Sequence, residues 1–199
     1  MADADTEAKR AGKRTVDGSV KPSDTALKKL SRELAKFKAR PDNSKDPDWF
    51  VAEPVDESNI LLWNAELFNF NGDIGDALKS RNLNSIKLGL RFPSDYPMKP
   101  PFVWLIYPHI TGGHVQGGGG ICMEQLMESG WTPATSIESL VHSVRSTISM
   151  GRVNPSEHAN QKEKPHTELS ASRDFAFIKR AHTEWERQEP RAPRKPPAF

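Results

Sequence analysis

The 199-residue chain has a single cysteine, Cys122, so no intramolecular disulfide can form and a disulfide-stapled scaffold is excluded. Its longest unbroken apolar run, Phe102 to Tyr107, falls far short of the roughly 20 residues that cross a bilayer. Neither sign of charge prevails. Twenty-eight basic residues against 26 acidic ones leave a net +2, which gives no electrostatic reason to expect nucleic acid or a membrane surface as partner. The opening stretch MADADTEAKRAGKR lacks an apolar h-region, so no signal peptide is expected there. No internal repeat is visible. Together these absences lead to the expectation of a soluble, monomeric chain of the cytoplasm and/or nucleus. In that reducing setting a lone thiol needs its own explanation.

What is present suits one domain between two polar ends. Residues 1–22 carry only Val16 and Val20 as sizeable apolar groups, too little to offset ordering entropy, and are expected to be disordered. The tail 189–199 is rich in proline, mildly basic and expected to be extended. Between them, Leu27, Leu30, Leu34 and Phe37 recur at helical spacing, with Ser23 or Asp24 as N-cap and Pro41 beyond the end. Lys28, Lys29, Arg32, Lys36 and Lys38 lie on the other face, ordinarily a solvated one.

Ile60 to Phe70 reads as a strand. Ile86, Leu88, Leu90 and Phe92 alternate with Lys87, Gly89 and Arg91, the period-2 pattern of a half-buried strand. Phe102 to Tyr107 is a further strand after Pro97, Pro100 and Pro101, and residues 71–83 read as a polar connection with one helical turn. Thr135 and Glu138 have capping-box spacing before an apolar stripe of Ile137, Leu140, Val141, Val144 and Ile148. A last helix near 171–188 places Phe175, Ile178, Ala181 and Trp185 on one side. Strands flanked by helices, rather than alternating with them, indicate an α+β fold with an antiparallel sheet.

One local sequence asks for chemistry. Six of the 13 glycines lie in GGHVQGGGG, Gly112 to Gly120, and Cys122 follows two residues later. Glycine leaves space for a bulky partner to reach the sulfur, although a loop followed by a small buried thiol is the ordinary reading. A phosphate-cradling loop would need Lys and Ser or Thr after the glycines, and neither is there. Dinucleotide binding lacks its strand–helix–strand units. Cys122, His109 and His114 have poor spacing for zinc. A cysteine hydrolase needs a histidine base in reach of the sulfur, with His109, His114 and His142 as candidates.

FPSDYPMKPP (Phe92 to Pro101), YPHI, GGICMEQL (Gly119 to Leu126) and GWTPATSIESLVHSV, in that order, resemble the ubiquitin-conjugating enzyme family. That family's pattern is FPxDYPFKPP, HPNI, a glycine before ICL with the active-site cysteine, and WSPALTI. The glycine-rich GGHVQGGGGICMEQL is most similar to its atypical Q branch. The resemblance implies the UBC fold: an N-terminal helix, a four-stranded antiparallel meander, a glycine-rich active-site loop and two C-terminal helices. It makes Cys122 a nucleophile that takes ubiquitin, or a ubiquitin-like protein, as a thioester from an activating enzyme. A lysine amine of a protein substrate then attacks, with a ubiquitin ligase assisting and no metal or bound cofactor.

The resemblance also places Lys28, Lys29 and Arg32 toward the activating enzyme, and Met98, Trp131, Pro133 and Ala134 toward the ligase. Where the family has His-Pro-Asn this chain has Tyr107-Pro108-His109, so its oxyanion-stabilising asparagine is missing; His109, His114 or Gln116 is the expected substitute donor. Glu157, after Asn154-Pro155, falls near a family acid that orients the incoming lysine. Met98 stands where the family carries an aromatic ligase contact. Two other readings fit the same residues: a UBC-fold module that binds ubiquitin without catalysis, and a cysteine hydrolase using His109 or His142.

Overall fold

A computed structural model describes residues 21–41, 45–153 and 163–188. Helix α1 spans Asp24–Ala39. Its N-cap is Ser23, whose hydroxyl accepts the Ala26 N–H at 3.1 Å, and it stops at Arg40, one residue before Pro41. The buried stripe is Ala26, Leu30 and Glu33, with Leu34 and Phe37 packed against the core. Leu27, expected on that stripe, is 45% exposed. The helix is rotated by polar ties that periodicity cannot show: Glu33 Oε2 accepts the Ile137 N–H and Lys29 is held on the same side.

Strands β1 (Phe50–Pro54), β2 (Leu62–Phe68), β3 (Ser85–Arg91) and β4 (Phe102–Tyr107) form an antiparallel meander in that order. The register opposes Ala52 to Ala65, Ala65 to Leu88 and Leu88 to Leu105, so one sheet face feeds the core. Trp63, Leu67, Ile86, Leu88, Leu90 and Leu105 on that face are fully buried. On the opposite face Gly89 gives its space to the Trp104 ring, which a Cβ would meet at 2.2 Å.

The connection expected to hold one turn is instead a nine-residue helix, α2 (Gly72–Ser80), burying Ile74, Gly75 and Leu78. So few apolar positions in a polar stretch leave little periodic signal. Helix α3 (Ile137–Ile148) buries the whole expected stripe. Its cap differs: Ser136, not Thr135, accepts the Ser139 N–H at 3.0 Å, and Thr135 is buried. Arg145 is also buried there, stacked 4.0 Å over Phe70 and paired with Asp48 at 3.1 Å.

A second, two-stranded sheet of β5 (Ile110–Gly112) and β6 (Gly151–Val153) joins the end of α3 to the segment beyond β4. Helix α4 spans Glu168–Gln188, and its Phe175 meets Phe102 edge-on at 5.3 Å on the outer side of β4. The Ile178, Ala181 and Trp185 side chains lie outside the described residues.

Candidate active site

Beyond β5 the chain folds back as a small hairpin. Val115 bridges Ile121, the Gln116 N–H donates to Gly120 O, and the Cys122 N–H donates to His114 O, both at 2.8 Å. The glycine run is the hairpin's tip, closed by the Gly119 N–H donating to Gln116 O at 2.9 Å. Its second arm lies along β4, where the Leu105 N–H donates to Gly119 O at 2.9 Å. Gly119 has φ +94°, and a Cβ there would come 2.6 Å from Leu105 O. Only glycine fits that position.

Cys122 therefore sits at the end of a hairpin arm that extends the main sheet. Ile121 before it is fully buried and Met123 after it packs on the core. The thiol is half-buried, and among the described residues no hydrogen bond is made to its sulfur. Burial pushes the thiol pKa up, so the resting group is protonated at neutral pH, and none of the described residues is bonded to it as an activating base. That suits a thiol that collects an already activated acyl group better than one that must attack an amide.

The expected substitute donors are placed differently from each other. His109 is bound into a cluster: Nδ1 lies 3.1 Å from Glu163 Oε1, Nε2 lies 2.9 Å from the Lys164 carbonyl, and the ring stacks on His166 at 3.7 Å. Glu163 also accepts from Arg81 at 2.7 Å. The cluster fastens the 163–167 segment to the end of β4, helped by the His166 N–H donating to Ile106 O at 2.9 Å. Burial and the neighbouring His109 hold the His166 pKa below its usual value. His114 is exposed with φ +58°, and its contribution beside Cys122 is its backbone carbonyl. Gln116 is exposed at the hairpin tip, and His142 meets Phe50 edge-on at 5.3 Å on α3. Glu157 lies outside the described residues.

Of the basic face, Lys28 and Arg32 are exposed, but Lys29 is turned inward. Its ammonium donates to Pro133 O at 2.7 Å and Thr135 O at 3.0 Å, and burial pulls its pKa down. It is a strut between α1 and the loop before α3. Met98, Pro133 and Ala134 form an exposed group, Met98 at 67%. Trp131 at their base is half-buried against the core, its indole N–H donating to Pro97 O at 2.7 Å.

Two carboxylates that sequence reasoning missed, Glu163 and Asp174, both bind this region. Asp174 Oδ2 accepts the Gly118 N–H at 2.7 Å from 56 residues away, a separation at which no local pattern could signal the pairing. Among the described residues no group of three His, Cys, Asp or Glu could hold a metal ion.

The family described as "Ubiquitin-conjugating enzyme" matches residues 29–182. The chain belongs to the ubiquitin-conjugating enzyme family. Its relatives place it in the Q branch. It is 27% identical to Ubiquitin-conjugating enzyme E2 Q-like protein 1 of Mus musculus over 140 residues, 69% of this chain and 87% of that protein. It is 30% identical to Ubiquitin-conjugating enzyme E2 Q1 of Homo sapiens over 154 residues, 74% of this chain but 35% of that longer protein. A crystal structure of a ubiquitin-conjugating enzyme from Plasmodium falciparum superimposes with a TM-score of 0.50 at 25% identity, covering 70% of this chain and 96% of that one. The sheet, flanking helices and cysteine-bearing hairpin are thus the UBC fold expected from the motif order.

Proposed function

We propose that Cys122 carries ubiquitin, or a ubiquitin-like protein, as a thioester and delivers it to a protein amine. The supporting observation is the position of Cys122 within the family's motif order, at the end of a sheet-anchored hairpin, half-buried and, among the described residues, without a bonded base. In charging, Cys122 Sγ attacks the thioester carbonyl that the activating enzyme presents. A new C–S bond forms, the activating enzyme's thiolate leaves, and the Cys122 proton passes to solvent. In discharge a lysine nitrogen attacks the same carbonyl and loses its proton, and the Cys122 thiolate departs. Both steps pass through an oxyanion. With the His109 ring nitrogens facing Glu163 and Lys164, a backbone N–H of the hairpin or the exposed His114 side chain takes the place of the usual asparagine. Lys28 and Arg32 are the cations offered to an activating enzyme, and the group around Met98, Pro133 and Ala134 is offered to a ligase.

Incubation with activating enzyme, ATP and ubiquitin tests the reading. A reductant-sensitive adduct one ubiquitin larger is expected, with Cys122→Ser giving a reductant-resistant ester or none. No adduct with ubiquitin or any ubiquitin-like protein overturns it. The Tyr107-Pro108-His109 departure favours one other reading, a noncatalytic ubiquitin-binding module. That reading predicts no charging and ubiquitin binding that survives Cys122→Ala.

A further inference from the structure

The glycine tip that precedes Cys122 has no side chains of its own to pack, and four consecutive glycines have the greatest backbone freedom of any sequence. Besides its own hairpin bonds and the Leu105 tie to β4, it is restrained by side chains of α4. Asp174 Oδ2 accepts the Gly118 N–H at 2.7 Å and the Gly120 N–H at 3.4 Å. One turn earlier, the Ser170 hydroxyl donates to Gly118 O at 2.8 Å. Ala171, between them, is fully buried. The approach is as close as glycine allows: a Cβ at Gly118 would lie 2.8 Å from Asp174 Oδ2, and one at Gly120 2.8 Å from Asp174 Cβ. The helix thus grips donor and acceptor groups of the bare backbone, with a carboxylate as the acceptor, the stronger kind of hydrogen bond.

Cys122 follows Gly120 by two residues, and its own N–H is tied to the other hairpin arm. A shift of the tip therefore moves the arm that carries the thiol. We propose that Asp174 is a positioning residue for Cys122, holding the glycine hairpin against α4 so that the thiol keeps the exposure and direction that acyl transfer needs. The inference rests on the reading of Cys122 as the ubiquitin carrier. It adds that α4, outside the active-site segment, is part of the machinery, with Ser170 as an auxiliary grip.

The experiment compares wild type, Asp174→Ala, Asp174→Asn, and Ser172→Ala as an exposed α4 control. It reads three quantities: single-round charging by activating enzyme, the pH profile of Cys122 alkylation by iodoacetamide, and amide exchange at Gly118 by NMR. Asp174→Ala is expected to slow charging about tenfold, the size set by one charged hydrogen bond. Its alkylation should be faster with a midpoint moved back toward an ordinary thiol, because the released hairpin exposes the sulfur. Asp174→Asn keeps an oxygen acceptor and should fall between, with Gly118 exchange raised; Ser172→Ala should match wild type. If Asp174→Ala does not fold, the Asp174→Asn protein decides by the same three readings. Unchanged charging, or an unchanged alkylation profile with Gly118 still protected, overturns the proposal. Alkylation and exchange need no ubiquitin. A wild type that is never charged therefore sinks the carrier reading, and the transfer role with it, while those two readings still report the clamp.

Discussion

The indole N–H of Trp131 donates to the carbonyl of Pro97 across 2.7 Å, tying the loop before α3 to the proline turn before β4. The Trp131 ring also leans on Tyr96 at 6.1 Å, and Tyr96 is itself fully buried. The tie holds Met98 and Pro133 as neighbouring exposed groups on a firm base. Trp131→Phe retains the apolar body but leaves a buried carbonyl without its donor. A loss of about 1–2 kcal/mol is expected by urea denaturation, with Cys122 charging retained.

Lys29 and its neighbours separate by substitution. Lys29→Met removes the donor to two carbonyls, Pro133 O and Thr135 O, and is expected to cost about 1–2 kcal/mol. Lys28→Ala and Arg32→Ala touch exposed groups and should move stability by no more than about 0.5 kcal/mol. If the activating enzyme reads this face, those two variants slow charging most at low salt, because exposed charges are screened as salt rises. Denaturation curves beside charging rates at two salt concentrations check both halves.

The histidine stack makes stability depend on pH. Burial first, then His109, holds the His166 pKa below 6.5, against opposing contributions from Glu163 and Asp174. The unfolded chain therefore takes up its proton first as pH falls. The stabilisation is fully present above about pH 6.5 and is lost as pH drops through the lowered folded value. A thermal midpoint that declines between pH 7.5 and 5.5 is expected, with a shallower decline in His166→Asn. Equal slopes in the two proteins would remove His166 as the cause.

Three glycine positions in one tip should respond unequally. Gly117→Ala meets nothing within 4 Å and should be tolerated. At Gly120 a Cβ would lie 2.8 Å from Asp174 Cβ and 3.1 Å from Ala171 O, so α4 must move away. Gly119→Ala combines φ +94° with a Leu105 O clash at 2.6 Å, and a loss of about 1–3 kcal/mol or more is expected. Thermal melts of the three single variants give the order directly.

Elements whose pattern is local were legible. The α3 stripe from Ile137 to Ile148 and the β3 alternation from Ile86 to Leu90 repeat within a window shorter than the element, and every apolar position of both is buried, although Gly89 under the Trp104 ring and Arg145 beside Phe70 are buried as well. The order of the proline turn, the glycine run, Cys122 and the Trp131 loop was enough to indicate the family. Leu27 and Lys29 were misplaced because a helix's period says that a face is buried, not how far the helix is turned. That rotation is decided by Glu33 at Ile137 and by Lys29 at Pro133, both about 100 residues apart in sequence.

The sequence by itself thus determined the class of fold, the meander, and a lone thiol behind a glycine run. Only the tertiary structure decided what the glycines are for, because their neighbours Asp174, Ser170 and Leu105 come from other elements. It also decided that His109 is bound to Glu163 and Lys164. A hydrogen bond between distant residues leaves no period behind it; it exists only once the sheet and helices have brought the two groups together.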